Sequence, residues 1–208
     1  MIVSQVEEQI LETLLWKVRV IALRQLKRFL GCDLDSVLRS LKRKGYIEQI
    51  TLRTQLLDLA SPLYSWNPAE QESSPDFWKI SWQAESRFKR VPTFEEQVFL
   101  ATDLACRHFG GVGGKLRQPF QLLHDLGTAS MFVAKSSSNF ERANRWKSED
   151  VIRRYFRHLK IRKIPDAAEF SNDAVSRVFE FAGRDYSGNY IKTFHEFWKR
   201  KNISYEIW

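Results

Sequence analysis

The chain has 208 residues, 43% of them hydrophobic, and a formal net charge of +8. That length allows one large domain or two small ones, and that composition supports a packed core and excludes general disorder. The positive excess favours a polyanionic partner, nucleic acid before others, because lysine and arginine gain affinity by releasing counterions from phosphates.

The two cysteines, Cys32 and Cys106, form no Cys-x-x-Cys pair. A structural zinc site is therefore not expected, and free thiols are expected over a disulfide. The start at Met1 has no basic region followed by an apolar run, so no signal peptide is expected. No window approaches about 18 consecutive apolar residues, the minimum for a membrane span. The expectation is a soluble, cytoplasmic protein with no membrane partner.

Helical periodicity runs over residues 4–20 through Val6, Ile10, Leu14 and Leu15. A second helix is expected over 22–30, stopped by Gly31, and a third from Asp35 to Lys44, capped by Asp33 or Asp35 and ended by Gly45. The third helix sets Val37, Leu38 and Leu41 on one side and Arg39, Lys42 and Arg43 on the other. Tyr46 to Ile50 reads as a strand, Arg53-Thr54 as a turn and Leu56 to Leu59 as a second strand. Three short helices and a hairpin make a winged helix-turn-helix plan, expected over residues 1–66. Its third helix would enter the DNA major groove, with Arg39, Lys42, Arg43, Lys44 and Arg53 as the DNA-binding candidates.

Residues 67–92 read as a structured connector with a strand at 77–82, punctuated by Phe77, Trp78, Ile80 and Trp82. Thr93 and Glu96 fit a capping box opening a helix to His108. The glycines from Gly110 to Gly114 lack the lysine and hydroxyl residue of a phosphate-binding loop and read as a flexible turn, so no nucleotide cofactor is expected. An apolar helix follows over 119–134.

The segment from Trp146 to Trp208 reads helix, strand, strand, helix, strand. Its first helix, from Ser148 to Lys160, carries Glu149 and Asp150 in its first turn, where the helix dipole alone justifies acids. Asp166 opens a strand at 164–170. Glu180 sits inside an apolar strand at 177–183, where Val178, Glu180 and Ala182 share a face. A carboxylate there is costly to bury without a cation or donor, which makes Glu180 the least trivial acid of the three. Glu149, Asp166 and Glu180 are the candidate catalytic acids, with Asp166 and Glu180 as candidate ligands of Mg²⁺, which prefers oxygen donors. A lysine is absent at Ala182. Lys192, on a helix at 189–201, and Lys163 are the replacements, while Arg184 is too weak an acid to serve as a base. The competing reading puts Lys192 in an ordinary solvated stripe with Glu196 and Lys199. A last strand covers 203–208.

This order of acids and elements resembles the PD-(D/E)xK, or restriction-endonuclease-like, superfamily, giving an αβ-β-αβ domain with its core at 146–208 behind a helical lead-in from residue 93. More narrowly it resembles the replication-relaxation family of plasmid and mobile-element proteins. The resemblance is carried by Leu123-His124-Asp125-Leu126, Trp146 with Glu149, Lys163 to Ala167, Phe179 to Gly183 with Tyr186, His195, and Tyr205 to Trp208. It implies an α+β or α/β chain that handles double-stranded DNA in replication, copy control or transfer, with replication or transfer proteins as further partners. A homodimer is expected because winged-helix binders often pair on near-symmetric sites. Three readings stay open: a DNA-binding protein whose nuclease-like domain does not cut, an active Mg²⁺-dependent endonuclease with a displaced lysine, and a transcriptional regulator whose C-terminal domain dimerises.

Overall fold

In the computed structural model, residues 3–31, 33–69, 74–113, 116, 119–137, 140–156 and 164–208 are described, with backbone alone for 119, 120 and 140. Ser4 and Glu7 form a reciprocal capping box at the start of α1 (Gln5–Glu12), with Ser4 N–H donating to Glu7 Oε2 at 2.8 Å. The helix expected to continue to residue 20 instead widens into a π turn at Thr13–Lys17 and becomes extended at Val18. Then follow β1 (Ile21–Ala22), α2 (Leu23–Leu30) and α3 (Asp35–Arg43), close to expectation, with Gly31 at φ 65° and Gly45 at φ 72° after the two helices.

Downstream of α3 the structure departs from the sequence reading. β2 (Ile47–Thr54) does not fold back on residues 56–59. Its antiparallel partner is β4 (Phe94–Ala101), in register from Ile47 opposite Ala101 to Thr54 opposite Phe94. The capping box at Thr93 is therefore absent: Glu96 instead pairs with Arg24 Nε at 2.6 Å. The local helix signal lost to a full ladder with β2 on one side and β1 on the other, which buries Val98, Phe99 and Leu100. The helix begins later, as α5 (Asp103–Phe109), with the Thr102 hydroxyl accepting from Ala105 N–H at 3.3 Å.

The connector is also different. Residues 77–82 are not a strand but belong to α4 (Phe77–Lys89), capped by Asp76 accepting from Lys79 N–H at 2.9 Å. Ile80, Ala84 and Phe88 recur every fourth residue and are its buried stripe. β3 (Tyr64–Trp66) precedes it, and α6 (Pro119–Ser136), α7 (Phe140–Arg145), β5 (Trp146–Ser148), α8 (Glu149–Tyr155), β6 (Ala167–Ser171), β7 (Ala174–Glu180), α9 (Gly188–Arg200) and β8 (Ser204–Ile207) complete the chain. The expected continuation of α8 to Lys160 lies outside the described residues, as does Lys163. The residues from 110 to 113 are a packed turn rather than a flexible one: Val112 N–H donates to Leu15 O at 2.8 Å, and Gly111 O accepts from the Tyr155 hydroxyl at 3.2 Å.

Among the described residues the strands form two sheets, of order β1-β4-β2 and β3-β8-β7-β6-β5, in a mixed α+β molecule. The two-residue turn at Asn172 (φ 49°) and Asp173 (φ 61°) closes an antiparallel β6–β7 hairpin, as expected of residues that tolerate positive φ. β8 then returns parallel to β7 across α9. The boundaries expected at residues 66 and 92 do not separate the sheets, because β3 joins the C-terminal sheet while β4 joins the N-terminal one. One apolar core runs through both halves, from Ile10, Leu26 and Leu41 to Trp146, Phe181 and Trp208. No helix among the described residues is long and apolar enough to cross a membrane.

Candidate functional site

Where β6 begins and β7 ends, the chain builds a cleft of about 780 Å³ whose lining includes Glu149, Asp166 and Glu180. Backbone pairing brings them there. Ser148 lies opposite Ala167 in the β5–β6 ladder, and Glu149 N–H donates to Asp166 O at 2.9 Å. On the other side Phe181 N–H donates to Asp166 Oδ2 at 2.8 Å, so the residue after Glu180 is tied to the aspartate. The Ser148 hydroxyl makes no capping bond to α8, contrary to expectation, so Ser148 serves the strand and Glu149 the cleft.

Each acid has its own protein partners. Glu149 Oε1 accepts from Arg153 at 2.5 and 3.0 Å, and its Oε2 lies 3.8 Å from Arg19. Asp166 Oδ2 lies 3.0 Å from His124 Nε2. Glu180, 3% exposed, accepts at Oε1 from the Tyr190 hydroxyl at 2.6 Å and the Tyr186 hydroxyl at 3.3 Å. Tyr190, on α9, thus turns its hydroxyl into the cleft.

His124 reaches Asp166 because α6 presses against the end of β7. A Cβ on Gly127 would lie 2.2 Å from the Phe181 ring, so only glycine lets the helix approach this closely. Burial alone would depress the His124 pKa, but the adjacent Asp166 carboxylate, with help from Asp125 and Glu180, overrides it and holds the imidazolium up to about 9. Burial pushes the Tyr186 and Tyr190 phenols up, and the surrounding carboxylates push them further, so both hydroxyls stay protonated donors. Arg19 closes the other wall. Its guanidinium donates to Asp125 Oδ1 at 2.8 Å and Asp150 Oδ2 at 2.8 Å, joining the N-terminal half to α6 and α8. His124 and Tyr186 entered the sequence reading without a role, and Arg19 was missed. Its signal was a lone guanidinium between the buried Val18 and Val20.

Ala182 is fully buried, and it packs in the cluster that includes Ile191 and Trp198. Its N–H donates to Trp208 O at 2.8 Å and its carbonyl accepts from Arg87 at 2.9 Å. The alternation that would put residue 182 beside Glu180 ends where β7 ends. Lys192, the expected replacement, does not line the cleft; its amine lies 3.9 Å from Glu196 on the exposed face of α9, the solvated-stripe arrangement. Among the described residues lining the cleft there is no lysine.

Asp166 and Glu180 supply hard oxygen donors, the chemistry Mg²⁺ selects, and Mg²⁺ is commonly held by one or two carboxylates with water completing its shell. Among the described residues no three His, Cys, Asp or Glu side chains converge on one ion position. Asp166, just before β6, and Glu180, the last residue of β7, are the two carboxylates that would hold such an ion. Arg153 and Arg184 stand at the cleft as well, so acids inside are accompanied by guanidiniums.

The DNA-binding candidates divide. Arg39, Lys42 and Arg43 are exposed on α3; Arg39 Nε donates to Asp35 O at 3.2 Å and Lys42 Nζ to Gln49 Oε1 at 2.6 Å. Arg53 is exposed on β2 opposite Glu95. Lys44 is different: its amine is committed to the buried Glu7 at 2.7 and 2.9 Å and holds α3 to α1. Cys106 is a free thiol, and Cys32 lies outside the described residues. No family model matches the chain, and comparison with curated proteins and with solved structures yields no match.

Proposed function

We propose that this chain is a DNA-binding protein of the replication-relaxation type, acting in the replication, copy control or transfer of a plasmid or mobile element. In this reading residues 3–54 with β4 form a winged helix-turn-helix that holds duplex DNA on Arg39, Lys42 and Arg43. The β5–β8 sheet with α8 and α9 forms a restriction-endonuclease-like domain. The observation that carries the reading is the convergence of Glu149, Asp166 and Glu180 on one cleft beside Arg153 and Arg184. The sheet order β1-β4-β2 behind α3 supports the winged helix, with the segment between β2 and β4 standing where a short wing turn would be.

The domain binds rather than cuts in this reading, because the buried Ala182 supplies no amine and Lys192 faces solvent. A second reading, an active endonuclease, is favoured by one observation: His124 Nε2 lies 3.0 Å from Asp166 Oδ2, in a cleft whose described lining offers no lysine. When bound, Mg²⁺ on Asp166 and Glu180 would stabilise charge building on a scissile phosphate. Tyr186 and Tyr190 would orient Glu180, and His124 would orient Asp166. The test is incubation of the protein with supercoiled plasmid and Mg²⁺ or Mn²⁺, beside Glu180→Ala. Binding without nicking supports the first reading. Metal-dependent nicking that Glu180→Ala abolishes establishes the second. Absence of duplex binding removes both.

A further inference from the structure

Trp78 and Trp82 are 64% and 62% exposed, the two most exposed large hydrophobic side chains among the described residues. They stand one turn apart on α4 and so share a face. A single exposed apolar residue requires no explanation, but two neighbouring indoles on one helix leave a broad aromatic surface facing water. Their place in the fold is specific. The Trp78 ring lies over the first residue of α9, where a Cβ on Gly188 would come within 2.6 Å of it. Ser81 Oγ, one residue before Trp82, donates to Tyr186 O at 2.7 Å. Two residues beyond Gly188, Tyr190 stands in the cleft with its hydroxyl on Glu180. The aromatic surface therefore adjoins the mouth of the acidic cleft.

Two exposed cations bear on the chemistry of the occupant. Lys79 is exposed next to Trp78 on α4, and Arg184, whose guanidinium donates to Gln55, is exposed where the cleft opens. Exposed indoles with a lysine beside them and an arginine at the cleft match a polyanion that carries stackable rings. In a duplex those rings are already stacked on one another, so only unpaired bases can use the indoles. We infer that Trp78 and Trp82 form a stacking platform for unpaired nucleobases, leading a single strand of DNA to the cleft. This names the substrate class of the cleft and rests on the DNA-handling function proposed above.

The test uses the full chain and fluorescence anisotropy with two labelled probes, an oligo-dT of about 20 nucleotides, long enough for several stacked bases, and a duplex of matching length. Three double variants are compared with the parent: Trp78→Leu with Trp82→Leu, Trp78→Phe with Trp82→Phe, and Arg39→Ala with Arg43→Ala. Leucine keeps an apolar surface but removes the π face. The leucine pair should weaken oligo-dT binding about tenfold or more while leaving duplex binding unchanged, and the phenylalanine pair should retain most of it. Oligo-dT binding by the leucine pair as tight as the parent's overturns the platform and identifies the indoles as an apolar docking surface. So does a parent chain that fails to bind oligo-dT. Failure of the duplex arm is separate: if the parent ignores duplex, or the arginine pair binds it unchanged, the winged-helix reading falls, while a loss confined to the leucine pair still upholds the platform.

Discussion

The cleft and the exposed face of α3 hold charge in opposite ways. In the cleft each acid meets protein donors: His124 and Phe181 N–H on Asp166, two tyrosines on Glu180, two arginines on Glu149. On α3, Arg39, Lys42 and Arg43 extend into solvent. Buried charge must be paired within the fold, so its partners report structure as much as chemistry. Exposed charge contributes little to stability, so its substitution is expected to leave the fold intact. The comparison predicts that substitutions in and around the cleft unfold the protein more readily than they change its binding, while those on α3 do the reverse.

The sharpest way to break that comparison is Arg19→Met. It strands Asp125 and takes one partner from Asp150, and removing one member of a buried ionic cluster is expected to lower stability by about 3–5 kcal/mol in urea or thermal unfolding. A change below about 1 kcal/mol, the worth of an exposed pair, would mean that the cleft wall is solvated. Ala182→Lys comes next. It restores the missing motif residue on paper but drives an amine into the Ile191–Trp198 cluster, so a loss of about 3 kcal/mol and no gain of metal-dependent cleavage are expected. An undiminished melting temperature with new cleavage would show that the lysine reaches the cleft.

Acid titration gives a third measure. Burial tends to raise the Glu7 pKa, but the Lys44 ammonium and the Ser4 N–H dominate and lower it from 4.5 to about 2. Because the folded-state pKa lies below the unfolded one, this stabilisation is complete above about pH 4.5 and lost as pH falls toward 2, by about 2 kcal/mol in all. Unfolding free energy followed over that window should show the loss, and Lys44→Met should remove most of the pH dependence. The smallest stability effect is expected for Arg39→Ala with Arg43→Ala, within about 0.5 kcal/mol. The same pair should weaken duplex binding and reduce the slope of log affinity against log salt by roughly 2. An unchanged slope would end the use of α3 as a DNA-binding face.

Much of the C-terminal half was legible because its signals are local. The succession helix, strand, strand, helix, strand and the order of the three acids each follow from a few adjacent residues. The middle of the chain was misread for the opposite reason. β4 carries a plausible capping box, yet its structure is set by β2, whose paired residues lie forty or more positions earlier. α4 carries aromatics that suit a strand, yet its burial recurs every fourth residue against α9 and the β7 end.

By itself the sequence determined the helices α2 and α3, the exposed basic face, the succession of α8, β6, β7, α9 and β8 and which acids could share a site, since these depend on periodicity, turn chemistry and strand alternation. Only the tertiary structure decided that β3 and β4 exchange between the two sheets. It also decided that Lys44 serves Glu7 rather than a ligand, that Ala182 packs in the core, and that the cation beside Asp166 comes from His124. Those outcomes rest on long-range contacts and on desolvation, which act between residues far apart in the chain and leave no local pattern.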